Sequence, residues 1–191
     1  MIDLIVGCMF SGKSEELTRR LRRAEIAGLK VVAFKPFMDN RYDGTKIASH
    51  SSITFNARCF EDLDDLFMMI LESKEEFGKF PDVVGIDEAQ FLSTDAISKI
   101  EAFADNGIHV ILAGLDMDYK GKPFGPIPQL MAISDNITKL SAICVAKDEN
   151  GIICGKDATR SYRIISADSG KLIQVGAADS YEARCRKCWS K

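Results

Sequence analysis

The sequence lacks any long apolar run, although hydrophobic residues make up 46% of its 191 positions. No segment reaches the roughly 18 consecutive apolar residues that a transmembrane helix needs, and the opening letters, MIDLIVG, are too short for a signal peptide. We therefore expect a cytoplasmic protein that does not associate with membranes. Internal repeats and low-complexity tracts are also absent from the sequence, which excludes repeat architectures and disordered scaffolds.

An excess of positive charge is absent as well. The 25 lysine and arginine residues are outnumbered by 28 aspartate and glutamate residues, which gives a net charge of −3. Proteins that bind nucleic acid usually carry a strongly basic surface, so the charge balance argues against nucleic acid as a partner. The basic run Arg19–Arg23 is interpreted as a solvated helix face, with a subunit contact as the alternative.

Short apolar runs alternate with amphipathic segments through the first three quarters of the chain. This rhythm is typical of an α/β fold in which helices connect the strands of a parallel sheet. The pattern predicts a helix over residues 60–77, a long loop over 38–52 and a last sheet strand over 137–144. From residue 144 onward the helical periodicity ends and cysteines and glycines become frequent. We predict an α/β domain at 1–143 and a small β domain at 144–191.

The stretch GCMFSGKS follows the first predicted strand and precedes a predicted helix. In that context the pattern Gly-x-x-x-x-Gly-Lys-Ser predicts a phosphate-binding loop. Its glycines permit tight turns that direct backbone N–H groups at phosphate oxygens, and Lys13 can reach the β- and γ-phosphates of ATP. The candidate phosphate-binding residues are Gly7, Cys8, Met9, Phe10, Ser11, Gly12, Lys13 and Ser14.

The stretch VVGIDEAQF supplies the acidic partner that a phosphate-binding loop requires. Asp87 follows four apolar residues on what we expect to be a neighbouring strand, where it and the Ser14 hydroxyl would hold Mg²⁺ with ATP. Glu88 would accept a proton, either from water in an ATPase or switch protein, or from a substrate hydroxyl in a kinase. The residue types leave both alternatives open.

The cysteines near the end of the chain predict a structural zinc site, because a reducing cytosol favours metal ligands over disulfides. Cys185 and Cys188 form a C-x-x-C pair that suits one half of a tetrahedral site. Cys144 and Cys154 are the candidates for the other half, although nine residues separate them. The two remaining cysteines lack paired spacing and are interpreted as apolar fillers: Cys8 and Cys59.

The spacing of the first cysteine pair makes the zinc hypothesis depend on a turn. A three-residue turn at 149–151 would place Cys154 opposite Ala146, on the same face as Cys144. A two-residue Asn-Gly turn would instead place the two thiols on opposite faces. If Cys144 does not bind zinc, Asp148 is the nearest alternative ligand.

Several motifs together resemble the cytosolic, zinc-containing thymidine kinases. They are GCMFSGKSEEL, IDEAQF, GLDMDYKGKPFGPIPQLMAISD, CGKDATRSYR and VGAADSYEARCRKC, which occur in order along nearly the whole chain. The resemblance implies a RecA-like parallel sheet with flanking helices and a zinc domain whose lasso loop covers the substrate. It implies transfer of the ATP γ-phosphate to the 5′-hydroxyl of thymidine, in nucleotide salvage for DNA synthesis, and usually a homotetramer. It also suggests feedback by thymidine triphosphate.

The resemblance also assigns residues. Glu88 would be the base for the 5′-hydroxyl, and Arg41 would lie near the reacting phosphate. The residues enclosing the thymine ring would be Met9, Leu115, Tyr119 and Phe124. The residues closing over thymidine would be Leu172, Ile173, Gln174, Val175, Gly176 and Tyr181. We also expect replacement of Cys154 by serine to weaken thymidine binding and stability more than ATP binding, since the phosphate-binding loop belongs to the other predicted domain.

Overall fold

The computed structural model describes residues 1–37, 46–48, 54–164 and 180–190. The elements up to residue 140 are β1 (Ile2–Gly7), α1 (Lys13–Ile26), β2 (Val31–Pro36), β3 (Lys46–Ala48), β4 (Thr54–Asn56), β5 (Arg58–Phe60), α2 (Leu63–Phe77), β6 (Val83–Ile86), α3 (Ala96–Asp105), β7 (His109–Gly114), α4 (Ile127–Ile133) and β8 (Asn136–Leu140). Those that follow are β9 (Ala142–Ile143), β10 (Asp157–Ala158), β11 (Arg160–Arg163), β12 (Tyr181–Arg184) and α5 (Arg186–Trp189).

Within the described residues, six strands form one sheet in the order β5-β2-β6-β7-β1-β8. Every strand pair in it is parallel, so all the carboxyl ends of these strands lie at one edge. Ligands of open α/β sheets bind at this edge. The predicted α/β class, a parallel sheet flanked by helices, is confirmed.

Successive residues of the central strands pack on opposite faces of the sheet, as the alternation of side chains along a strand requires. Leu4 of β1 and Leu112 of β7 belong to one core cluster, together with Leu66 and Ile70 of α2 and Ile100 of α3. The residues adjacent to them in the same strands, Ile5 and Ile111, pack with Leu17 and Leu21 of α1. Helix α1 therefore covers one face of the sheet, and α2 and α3 cover the other.

The basic run in α1 is partly structural. Arg20 donates to Asp3 of β1 and to Thr138 of β8, which ties the helix to the sheet. Arg19 and Arg20 both donate to Glu16, and these hydrogen bonds lower the pKa of the Glu16 carboxyl to about 2. The interpretation of this run as a solvated face is therefore wrong for Arg20, which helps to fix the helix that follows the phosphate-binding loop.

Three local predictions need correction. The loop predicted over 38–52 contains strand β3, which pairs with β4, and the rest of that stretch lies outside the described residues. The helix predicted from residue 60 begins at Leu63, because β5 occupies the edge of the sheet through Phe60. The strand predicted over 137–144 is two strands, since β8 pairs with β1 and β9 pairs with β10.

Among the described helices, none combines the length and apolar character that a membrane span needs.

Gly85 of β6 makes room for α1, which yields a test of the packing. A side-chain carbon at Gly85 would lie 2.7 Å from a terminal carbon of Leu21, a fully buried residue. We expect Gly85→Ala to lower the free energy of unfolding by about 1–3 kcal/mol, measured by urea denaturation. The double variant with Leu21→Val should recover part of the loss, because the shorter side chain relieves the same contact. Unchanged stability in Gly85→Ala would contradict this packing.

Candidate active site

The phosphate-binding loop joins β1 to α1 at the carboxyl edge of the sheet. Gly12 precedes the first turn of α1 with a φ of 82°, a left-handed conformation that glycine adopts with little strain. A side-chain carbon at Gly7 would lie 2.5 Å from the backbone oxygen of Leu140. Phe10, between the two glycines, is exposed and left-handed as well, with a φ of 65°. Both glycines of the motif are thus required by the backbone geometry.

Lys13 is the first residue of α1, and its ammonium group donates to the backbone oxygen of Cys8 at 2.8 Å. Burial lowers the pKa of Lys13, whereas the nearby carboxylates of Glu88 and Asp87 raise it. A phosphate bound over the loop would favour the charged form further. The Ser11 hydroxyl donates to the same Cys8 oxygen at 2.8 Å, so the loop conformation does not depend on Lys13 alone.

Asp87 follows β6, and β7 separates that strand from β1. We expected Asp87 to follow a strand that neighbours β1. That expectation is wrong, because β6 is the second strand from β1 in the sheet. The Ser14 hydroxyl nevertheless lies close enough to the Asp87 carboxylate to act on its pKa, although burial has the larger effect. Burial and the charge of Glu88 raise the pKa of Asp87 to about 6, and a bound cation would reverse that shift. A hydroxyl and a carboxylate are oxygen ligands of the kind that Mg²⁺ prefers, so these residues fit the ion.

Glu88 is exposed and lies at the same edge of the sheet. Its backbone is left-handed, with a φ of 54° and a ψ of 39°, and its N–H donates to the Asp87 carboxylate at 3.0 Å. Strained conformations of non-glycine residues concentrate at functional sites. The Glu88 carboxylate accepts a hydrogen bond from the side chain of Gln90, which is a contact that sequence reasoning missed, although Gln90 lies within the DEAQF motif.

The segment after β7 forms a turn that carries Tyr119. The backbone N–H groups of Lys120 and Lys122 both donate to the buried Asp118 carboxylate at 2.9 Å. Because one carboxylate binds both N–H groups, it stabilises this turn. Tyr119, which directly follows Asp118, is half-buried.

Two of the predicted substrate residues, Tyr119 and Tyr181, meet through Arg163. The guanidinium carbon of Arg163 lies 4.9 Å from the centre of the Tyr119 ring and 6.0 Å from that of Tyr181. Arg163 also pairs with Tyr181 across the β11–β12 ladder. Phe124 packs edge to face against Phe91, with ring centres 5.6 Å apart. The sequence did not single out Arg163 or Phe91, since their contacts arise only when distant segments fold together.

The four predicted zinc ligands form one cluster. The sulfur atoms of Cys144, Cys154, Cys185 and Cys188 all lie within 4.8 Å of one another, and those of Cys154 and Cys185 are 3.9 Å apart. Tetrahedral zinc with Zn–S bonds of about 2.3 Å places sulfurs about 3.8 Å apart. The backbone N–H of Cys188 lowers the pKa of the Cys185 thiol to about 7, which favours the thiolate that a metal binds. The cluster can therefore hold a metal such as zinc.

The turn between Cys144 and Cys154 has the three-residue form that the zinc hypothesis requires. The Cys154 N–H donates to the Ala146 oxygen at 2.8 Å, and the Asp148 N–H donates to the Ile152 oxygen at 3.0 Å. Residues 149–151 therefore form the loop of the hairpin, which decides for the three-residue turn over the two-residue alternative. The Asp148 carboxylate accepts two backbone hydrogen bonds within this turn. Asp148, the alternative zinc ligand, is therefore already engaged in stabilising the turn.

The phosphate-binding loop contacts the cysteine-rich segment directly. Cys8 is buried with Ala158 and with the zinc-ligand candidates Cys144 and Cys185, and its thiol donates to the Ala158 oxygen at 3.2 Å. The Met9 N–H donates to the Ser161 hydroxyl at 3.0 Å. Cys8 is a filler, as predicted, but it fills the interface between the loop and the zinc-ligand cluster.

A second contact joins this segment to the turn of Tyr119. Trp189, the only tryptophan in the sequence, follows the zinc-ligand candidate Cys188 in α5. A side-chain carbon at Gly121 would lie 2.8 Å from the Trp189 ring, and the indole N–H donates to the Ser161 backbone oxygen at 3.1 Å. A single tryptophan beside a metal-ligand motif was the signal in the sequence that could have indicated this contact.

The remaining predicted site residues, Arg41 and Leu172–Gly176, lie outside the described residues.

Among solved structures, the chain is similar to one described as "crystal structure of DNA replication initiation factor", with 17% sequence identity and a TM-score of 0.39. The match covers 73% of this chain and 39% of that chain. This chain therefore spans less than half the length of that protein, and the match carries no inference about function.

A sequence model of the thymidine kinase family matches residues 1–189. The match spans the phosphate-binding loop, the acidic pair after β6 and all four clustered cysteines, so the resemblance drawn from the motifs is confirmed. The chain belongs to the thymidine kinase family.

Proposed function

We propose that this protein transfers the γ-phosphate of ATP to the 5′-hydroxyl of thymidine, giving thymidine monophosphate for DNA synthesis. The observation that carries the proposal is the convergence of Lys13, Asp87 and the exposed Glu88: after burial, the charge of Glu88 is the largest influence on the pKa of both Lys13 and Asp87. A phosphate-binding lysine, a metal-binding carboxylate and a base at one edge of the sheet are the groups that phosphoryl transfer requires.

Each group has a distinct role in the proposed reaction. Lys13 and the N–H groups of the loop bind the phosphates and stabilise the charge that develops on their oxygens. Ser14 and Asp87 would hold Mg²⁺, which neutralises phosphate charge when bound. Glu88 accepts the 5′-hydroxyl proton on a carboxylate oxygen as that hydroxyl attacks the γ-phosphorus. The bond from the γ-phosphorus to the β–γ bridging oxygen breaks in the same transfer, and ADP leaves.

The substrate residues are proposed from the family membership and supported by their contacts. Thymine is a flat, neutral and partly apolar ring, which suits a pocket of aromatic and apolar side chains. The candidates Met9, Leu115, Tyr119, Phe124 and Tyr181 are all half-buried. Arg41 and Leu172–Gly176 remain proposed for the reacting phosphate and for the loop that covers thymidine. A homotetrameric state, a cytoplasmic location and feedback by thymidine triphosphate are proposals on the same basis.

The substrate assignment is tested with a panel of nucleosides. The protein is incubated with ATP and Mg²⁺ together with thymidine, deoxycytidine, deoxyadenosine or deoxyguanosine, and monophosphates are separated by chromatography. We expect thymidine monophosphate as the main product. Preferential phosphorylation of a purine nucleoside would contradict the assignment.

Loss of the zinc-ligand cluster should affect both substrates. Serine at position 144, 154, 185 or 188 should weaken zinc binding by more than about 100-fold, because each thiolate is one of four ligands. Since Cys8 and Met9 contact the same segment, we expect the KM values for thymidine and for ATP both to rise. This revises the expectation that ATP binding is largely spared. Metal analysis, thermal melts and steady-state kinetics measure these effects.

Cys59→Ser is the matched control for the zinc prediction, because Cys59 lies on β5 and does not belong to the cysteine cluster. It should retain full metal content and both KM values. A Cys144→Ser variant with full metal content and stability would show that Cys144 is not a ligand.

A further inference from the structure

Gln90 is a buried amide between two loops of the active site. Its side chain is 2% exposed and lies just after β6. Its Nε2 donates to a Glu88 carboxylate oxygen, and its Oε1 accepts from the Leu115 N–H at 2.9 Å. Since a carboxylate only accepts and an N–H only donates, one orientation of the amide satisfies both partners. The amide therefore cannot turn over without losing both hydrogen bonds.

Two glycines leave the space that Gln90 occupies. A side-chain carbon at Gly114 would lie 3.0 Å from the Gln90 Oε1 and 3.2 Å from its backbone nitrogen. A side-chain carbon at Gly125, where φ is +50°, would clash with the Gln90 backbone oxygen. Any larger residue at position 114 or 125 would therefore collide with Gln90. The backbone at both positions packs closely against Gln90 and fixes it in its position.

The two ends of the amide lie in different surroundings. The Leu115 end is bound to backbone that continues from β7, in the rigid centre of the sheet. The Nε2 end of the amide is bound to Glu88, whose side chain is exposed and whose backbone is left-handed. An exposed carboxylate samples several rotamers, and a base must lie within about 2.6–3.2 Å of the proton it accepts. A donor fixed to the sheet restricts that freedom.

We propose that Gln90 is a positioning residue that holds the Glu88 carboxylate in the orientation for proton transfer. This inference rests on the proposed function, because it assigns no chemistry to Gln90 apart from Glu88. It predicts an effect on kcat rather than on substrate binding, since Gln90 acts through a group that works in the transition state.

The first test is Gln90→Met, which keeps the length of the side chain and removes its donor and acceptor. We expect kcat to fall about 10–100-fold, the range in which small misplacements of reacting groups lie, while the KM values for thymidine and ATP stay within about twofold. Gln129→Met is the matched control, because Gln129 is exposed on α4, and it should retain wild-type kcat. A thermal melt of each variant shows that it folds.

The decisive measurement is a double-mutant cycle with Glu88→Gln, in single-turnover experiments. If Gln90 acts through Glu88, then Gln90→Met lowers the rate by less than about twofold in the Glu88→Gln background. A purely structural role would give the same loss in both backgrounds and would overturn the inference. If Gln90→Met does not fold, Gln90→Asn serves in the same cycle, since its amide fits the space but is one methylene too short to bridge both partners.

The outcomes separate this inference from the function on which it rests. A wild-type protein that transfers no phosphate to thymidine would overturn the proposed function and, with it, the role of Gln90. An active wild type with equal losses in both backgrounds, or with a raised KM in place of a lowered kcat, would overturn the role of Gln90 alone.

Discussion

Lys13→Ala lowers the rate of phosphoryl transfer by at least about 10²–10³-fold, the cost of removing one group that stabilises developing charge. The ammonium group of Lys13 donates to the Cys8 oxygen of the loop. Burial lowers the pKa of Lys13, and the nearby charges of Glu88 and Asp87 oppose that shift. Alanine removes the cation and leaves two carboxylates to repel the phosphates. The variant should still fold, because the Ser11 hydroxyl also donates to the Cys8 oxygen that Lys13 binds.

Single-turnover transfer from ATP, followed with a circular dichroism melt, measures both parts of this prediction. Lys99→Ala is the matched control, since Lys99 lies on α3 and pairs with Asp64 at 2.9 Å. It should keep the wild-type rate. A folded Lys13→Ala variant with near-normal turnover would contradict the assignment of this loop.

Glu88→Gln lowers kcat by about 10²–10⁴-fold, the contribution typical of a positioned general base. Glutamine has the shape of glutamate, and its amide oxygen can still accept the hydrogen bond from Gln90. It cannot accept the proton of the 5′-hydroxyl. Because the shape is preserved, both substrates should bind with nearly unchanged affinity.

Steady-state kinetics decides between catalysis and binding for Glu88. A lowered kcat with unchanged KM values supports its role as the base, whereas a raised KM with unchanged kcat would show that it only binds substrate. Glu101→Gln is the matched control, because Glu101 is exposed on α3, and it should behave as wild type.

The sequence predicted those features that depend on local chemistry. The glycines of the phosphate-binding loop, the acidic residues after β6 and the hairpin before Cys154 each follow from residues a few positions apart. Backbone geometry links such residues directly, so the left-handed Gly12 and the register of Cys154 opposite Ala146 could be predicted. The alternation of apolar and amphipathic segments likewise predicted a parallel sheet with crossover helices.

The sequence did not predict contacts between distant segments. The hydrogen bonds from Cys8 to Ala158 and from Met9 to Ser161 join residues about 150 positions apart, and periodicity carries no information on such pairs. The order of strands in the sheet is also a tertiary property, which is why β7 lies between β1 and the strand of Asp87. The role inferred for Gln90 depends on the glycines at 114 and 125, whose common neighbour appears only in the fold.

The amounts of ADP and thymidine monophosphate formed in one reaction test the central claim most directly. A kinase that excludes water should form the two products in equal amounts with thymidine present, and very little ADP without it. We expect that result, and we expect the phosphate on the 5′-oxygen. Rapid ADP formation that is independent of thymidine, with no monophosphate, would show that Glu88 activates water and would contradict the proposed function.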